Sequence, residues 1–206
     1  MDPSLYVILD RTAARGRDLE AILDGALGGG CRMIQLREKE WPSGRLLPLA
    51  ERLRERCRGA GATFIVNDRV DLALALAADG VHLGQDDLPP RAARPLLKSG
   101  MILGRSTHSL AQAREARDDG AGYIAVGSMF PTATKPDFEL VGPEFIQKLR
   151  GEIRVPVIGI GGITPDNVAA VIRAGADGVA VISAVCGAAD PAAATRRLLE
   201  AIRAAR

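Results

Sequence analysis

The sequence predicts a single (β/α)8 barrel over residues 1–206, an α/β fold built on parallel strands. Eight short apolar runs of β character alternate with amphipathic stretches. Their starts, from Leu5 to Gly178, fall about 25 residues apart, which fits one strand, one helix and two short loops. The tetrapeptide Ala78-Asp79-Gly80-Val81 recurs as Ala176-Asp177-Gly178-Val179, and Gly120-Ala121-Gly122-Tyr123 is similar. Each copy lies where a helix hands over to a strand. No linker or long insertion breaks the series. An open doubly wound sheet is the competing arrangement, but eight evenly spaced units favour closure.

The strand runs are LYVIL (5–9), MIQL (33–36), TFIV (63–66), GVHL (80–83), MILG (101–104), YIAVG (123–127), VPVIGI (155–160) and GVAVI (178–182). Between them, Leu46, Leu49, Ala50, Leu53 and Cys57 recur at helical spacing, with charged residues filling the other face. Val168, Val171 and Ile172 do the same. Thr164 is the expected N-cap of that helix, with Pro165 at its first position. Gly61, Gly100, Gly120 and Gly175 are placed to close helices ahead of the next strand.

Composition narrows the function classes. Lys and Arg number 27 against 25 Asp and Glu, a formal charge of +2, which argues against a nucleic-acid partner. An apolar share of 47% excludes bulk disorder. Only 7 of the 206 residues are aromatic, so Ala, Val, Ile and Leu must build the core. No uncharged apolar run approaches the ~18 residues of a membrane helix. MDPSLYVILD has no basic region before its apolar stretch, so no signal peptide is expected. Cys31, Cys57 and Cys186 are too few and too scattered for a disulfide framework or a metal knuckle. They read as small apolar fillers in a reducing cytosol, and a cytoplasmic location is expected.

In such barrels the chemistry sits at the C-terminal ends of the strands. Polar residues cluster there: Asp10 and Arg11, Gln35 to Lys39, Asn67 and Asp68, Gln85 to Asp87, Ser106 and His108, Thr132 to Lys135, Gly161 and Gly162, and Ser183. Gln35, Arg37 and Lys39 are spaced by two and share one side of an extended chain, which suits a polyanion. A solvated strand end is the alternative. Asp68 and Asp87 end neighbouring strands, and two such close carboxylates suit magnesium. Helix capping by Asp68, with a turn role for Asp86 or Asp87, is the alternative. Gly161-Gly162 and the end of strand eight fall where barrels often bind phosphate, although a glycine pair also makes an ordinary turn. Thr132, Thr134 and Lys135 stand in a loop between Pro131 and Pro136. His108 is a candidate proton carrier or a hydrogen-bonded structural residue. No activated nucleophile is recognisable. Two anion sites facing one cavity are therefore expected, one cationic and metal-assisted, one made of glycine backbone.

QLREK (35–39), VNDRVDLAL (66–74), GVHLGQDDLP (80–89), Ser106-Thr107-His108, TATK (132–135), IGGI (160–163) and ADGVAVIS (176–183) together resemble the thiamine-phosphate synthase family over nearly the whole chain. The resemblance implies an enzyme joining 4-amino-2-methyl-5-(diphosphooxymethyl)pyrimidine to thiazole phosphate, with release of pyrophosphate. It implies that Gln35, Leu36, Arg37, Glu38, Lys39, Asn67, Ser106 and Lys135 hold the pyrimidine diphosphate. Arg37, Lys39, Ser106 and Lys135 would be catalytic, and Asp68 and Asp87 would hold Mg2+. Thr132, Ala133, Thr134, Gly162, Ile182 and Ser183 would hold the thiazole phosphate. It also implies a dissociative route in which pyrophosphate leaves first. The expected partners are these two small phosphorylated heterocycles, with no nucleic acid and no membrane. A sister branch resembles thiazole tautomerase and shares the Ser-x-His segment, but tends to lack the aspartate pair and the TxTK loop. A non-catalytic thiazole- or thiamine-phosphate-binding barrel is the third reading. One departure from the synthase pattern is Ser128, where proline is frequent.

Overall fold

A computed structural model of the chain describes residues 1–132 and 140–206. Its strands are β1 (Leu5–Asp10), β2 (Met33–Arg37), β3 (Thr63–Asn67), β4 (Gly80–Leu83), β5 (Ile102–Thr107), β6 (Tyr123–Val126), β7 (Val157–Ile160) and β8 (Gly178–Val181). They form a closed parallel barrel in sequence order. The pairing of β1 with β8, in register Leu5↔Val179 through Val7↔Val181, rules out the open sheet.

Side chains alternate across the barrel wall, because successive residues of a strand point to opposite faces. Leu5, Val7, Leu9, Ile34, Leu36, Phe64, Val66, Val81, Leu83 and Val179 point outward into the main core beneath the helices. Tyr6, Ile8, Met33, Ile65, Tyr123, Ile158 and Ala180 point inward and fill the barrel. Few bulky groups fit there, so the large ones are matched by glycines. A Cβ at Gly104 would lie 2.2 Å from Cζ of Tyr123, the register partner of Gly104. Gly104→Ala should therefore lower stability by about 1–3 kcal/mol through overpacking; chemical denaturation measures it, and an unchanged midpoint would contradict this packing.

The helices largely follow the expected periodicity. Leu46, Ala50, Leu53 and Cys57 form the buried side of Ser43–Gly59. Gly61, Gly120 and Gly175 adopt the left-handed φ of +64°, +84° and +103° that closes a helix before a strand. Gly100 is also left-handed, at φ +84°, but closes a turn after a short 3-10 segment. The expected cap at Thr164 is corrected. That helix runs Val168–Arg173, and a turn occupies residues 165–167. The Asn167 side chain folds back instead, accepting from Thr164 N at 2.8 Å and donating to the Gly162 carbonyl at 2.9 Å. It thereby braces the glycine pair.

All three cysteines are buried and free. Burial pushes the thiols of Cys31 and Cys186 up to about 11 and that of Cys57 to about 12, so they remain protonated fillers. Among the described residues, no helix is long and apolar enough to cross a membrane.

Candidate active site

A cavity of about 190 Å³ opens at the C-terminal end of the barrel. Gln35, Arg37 and Lys39 all line it, as their spacing by two predicts. Gln35 forms part of its floor and is 1% exposed. Arg37 is held by an ion pair with Asp10, at the end of β1. Asp10 also caps the next short helix by accepting from Ala13 N at 2.9 Å. One carboxylate therefore fixes both a helix start and the guanidinium. Lys39, about half exposed, places Nζ 2.9 Å from Oδ2 of Asp68.

The alternate residues of this segment lie elsewhere. Leu36 is buried in the layer beneath the helices. Glu38 accepts from Arg11 Nε at 2.6 Å and from the backbone N–H of Glu40 at 2.7 Å. Neither side chain lines the cavity, so any contact they make with a ligand there would run through backbone.

Asp68 follows β3 at a left-handed φ of +63°. Its backbone N–H donates to the His82 carbonyl at 2.8 Å. Asp87 accepts from Gly84 N at 2.6 Å. Burial, with the Asp68 carboxyl beside it, raises the Asp87 carboxyl above its ordinary range. Asp86, its sequence neighbour, is exposed. Among the described residues, no group of three or more His, Cys, Asp or Glu could enclose a metal ion. Asp87 lines the cavity, and Asp68 stands beside it, paired with Lys39, but outside the lining. Two adjoining carboxylates in this position nevertheless fit a hard cation that keeps water and substrate phosphate as its other ligands.

The opposite side of the cavity is backbone. Gly161 and Gly162 have φ of +103° and +62°. A Cβ at Gly162 would sit 2.5 Å from the Pro131 carbonyl oxygen, and one at Gly161 would sit 2.6 Å from Ser128 Oγ. Thr132, Ile182 and Ser183 line the cavity near them. Ala133, Thr134 and Lys135 lie outside the described residues.

Asn67 at the end of β3, Ser106 on β5 and His108 just after β5 also line the cavity. Gln85 Nε2 donates to the Ser106 carbonyl at 2.5 Å, and His108 Nδ1 donates to the Gly127 carbonyl at 2.6 Å. His82 was not singled out from the sequence, yet it lines the cavity with Nε2 2.9 Å from Ser106 Oγ. Alternation was the available signal. A Cβ at Gly80 would meet Ile65, which faces into the barrel, so Gly80 points inward and His82, two residues on, does too.

The profile described as thiamine monophosphate synthase matches residues 5–185. The chain belongs to the thiamine monophosphate synthase family. Within it, the chain is 53% identical over 203 residues to the thiamine-phosphate synthase of Moorella thermoacetica, covering 98% of this chain and 97% of the relative. It is 48% identical to that of Haloquadratum walsbyi, covering 94% and 88%. The solved thiamine phosphate pyrophosphorylase of Pyrococcus furiosus superposes with a TM-score of 0.91 at 40% identity, covering 99% and 97%. As a member of this family the chain is a transferase that forms thiamine phosphate with release of pyrophosphate. The tautomerase and the non-catalytic barrel are not favoured.

Proposed function

We propose that the two sides of the cavity divide the two substrates between them. The pyrimidine diphosphate lies along the β2–β5 side. Its diphosphate meets Arg37 and Lys39, and its ring meets Gln35, Asn67 and Ser106, with the backbone at Leu36 and Glu38 alongside. Lys135 is assigned to the same substrate. The thiazole phosphate lies against Gly162, Ile182, Ser183, Thr132, Ala133 and Thr134. The observation that carries this assignment is the segregation itself: side-chain charge gathers on one side of a single cavity and left-handed glycine backbone on the other. A departing pyrophosphate gains negative charge and needs cations; a monophosphate that only has to be held suits fixed N–H groups.

The reaction follows from this placement. Departure of pyrophosphate leaves a pyrimidine-methyl cation, and charge developing on the leaving oxygens is met by Arg37, Lys39 and Lys135. Asp68 and Asp87 are proposed to hold Mg2+, which when bound supplies further positive charge to the diphosphate. The thiazole nitrogen carries no proton, so its attack requires no general base. The cavity holds the two fragments in contact, and positioning of this kind contributes several kcal/mol.

Gly162→Val tests the division. It should weaken thiazole phosphate by about tenfold or more, through the clash with Pro131 and the left-handed φ, and leave pyrimidine diphosphate within about twofold. Separate titration of each ligand decides it. Equal losses for both would count against two separate subsites.

A further inference from the structure

The only two tyrosines of the chain both stand inside the barrel. Tyr6 on β1 and Tyr123 on β6 meet edge to face, with their hydroxyl oxygens 2.9 Å apart. Gln35 Nε2 donates to the Tyr6 hydroxyl at 2.6 Å. The His82 ring stacks on Tyr123, and its Nδ1 lies 3.0 Å from the Tyr123 hydroxyl. Its Nε2 lies 2.9 Å from Ser106 Oγ. One hydrogen-bonded line thus runs from Gln35 through Tyr6, Tyr123 and His82 to Ser106, and both of its ends line the cavity.

Such a line is costly in an apolar interior unless every link is made. Burial holds both phenols well above their ordinary range, so their protons stay in place. A phenol has one proton to donate, and a neutral imidazole has one donor and one acceptor nitrogen. The polarity of each link therefore sets the next. When Gln35 donates to Tyr6, Tyr6 donates to Tyr123, Tyr123 to Nδ1, and Nε2–H to Ser106. Ser106 then has its own proton to offer a ligand, and Gln35 has its amide oxygen. Turning the amide over reverses every link and exchanges the two roles.

We propose that Tyr6, Tyr123 and His82 are positioning residues that couple Gln35 to Ser106, so that the cavity offers the pyrimidine one donor and one acceptor rather than two of a kind. This rests on the assignment of Gln35 and Ser106 to the pyrimidine. It selects a ring edge with an N–H donor beside a nitrogen acceptor, which is what an aminopyrimidine presents.

Tyr6→Phe, Tyr123→Phe and the double variant test it, since each keeps the rings and removes only oxygen. Each single variant should raise KM for the pyrimidine diphosphate about tenfold and leave KM for thiazole phosphate within about twofold. The double variant should be no worse than either single one, because a line cut once is already cut. A second measurement compares the affinity of the amino substrate with that of an analogue carrying methoxy in place of the amino group, which presents two acceptors. The wild-type preference for the amino compound should shrink about tenfold in each variant. Either single variant carries the test if the other does not fold. Gln35→Ala and Ser106→Ala serve as controls. If these leave pyrimidine binding intact, the site assignment fails. If they weaken it while the phenylalanine variants keep wild-type KM and preference, or lose both substrates equally, the coupling is overturned.

Discussion

Arg37→Ala should lower kcat/KM for the pyrimidine diphosphate by about 100-fold, the equivalent of about 2.7 kcal/mol, as charge-assisted hydrogen bonds contribute about 1.5–3 kcal/mol each. The guanidinium is aimed by Asp10 and lines the cavity. Its fork can grip two phosphate oxygens where a lysine offers a point charge. The same change should also cost stability. Asp10 is 3% exposed, and removing its partner strands a buried carboxylate, at about 3–5 kcal/mol. Adding Asp10→Asn separates the two effects: the double variant should recover much of the thermal stability and none of the turnover. Steady-state kinetics beside a thermal melt check both halves. Full recovery of turnover with recovery of stability would mean that Arg37 matters only to folding.

Asp68→Asn and Asp87→Asn should each raise the magnesium concentration needed for half-maximal turnover by about tenfold or more, because the amide keeps the shape and loses the charge. Thermal stability should move little. Asp68→Asn gives up a pairing with half-exposed Lys39, which is worth only about 0–1 kcal/mol. Asp87→Asn keeps an oxygen for Gly84 N and relieves repulsion from Asp68, so its metal-free form should melt no lower than wild type. Asp86→Asn is the control: Asp86 also lines the cavity, but it is Asp87 that stands beside Asp68. A magnesium requirement that shifts for Asp86→Asn and not for Asp87→Asn would make Asp86 the metal ligand and overturn the assignment to Asp87. No shift in any of the three would leave the metal to the substrate phosphates alone.

The barrel was legible because its signal is repeated. Eight runs at even spacing, and the Ala-Asp-Gly-Val repeat at strand starts, leave little room for another topology. The spacing by two of Gln35, Arg37 and Lys39 likewise carries directly into three side chains on one cavity. Local cues were weaker. Thr164-Pro165 has the composition of a helix start, but the Asn167 side chain takes the nearby backbone groups and the helix begins at Val168. Leu36 and Glu38 were gathered in with their neighbours by a contiguous motif, and strand alternation turns both side chains away. The interior line was missed because its members are far apart in sequence: Gln35 and Tyr6 are 29 residues apart, Tyr6 and Tyr123 are 117. Two isolated tyrosines in apolar runs read as core residues. Only closure of the barrel brings their hydroxyls together.

That pyrophosphate leaves with the help of a metal, and that its loss is tied to thiamine phosphate formation, is tested most directly by one measurement. Both substrates are supplied, and pyrophosphate and thiamine phosphate are followed together, with magnesium present and with it removed by a chelator. Equal amounts of the two products with magnesium, and loss of both on chelation, are expected. Thiamine phosphate formed at an undiminished rate after chelation would contradict the metal-assisted departure, and a thiazole altered without any release of pyrophosphate would contradict the reaction itself.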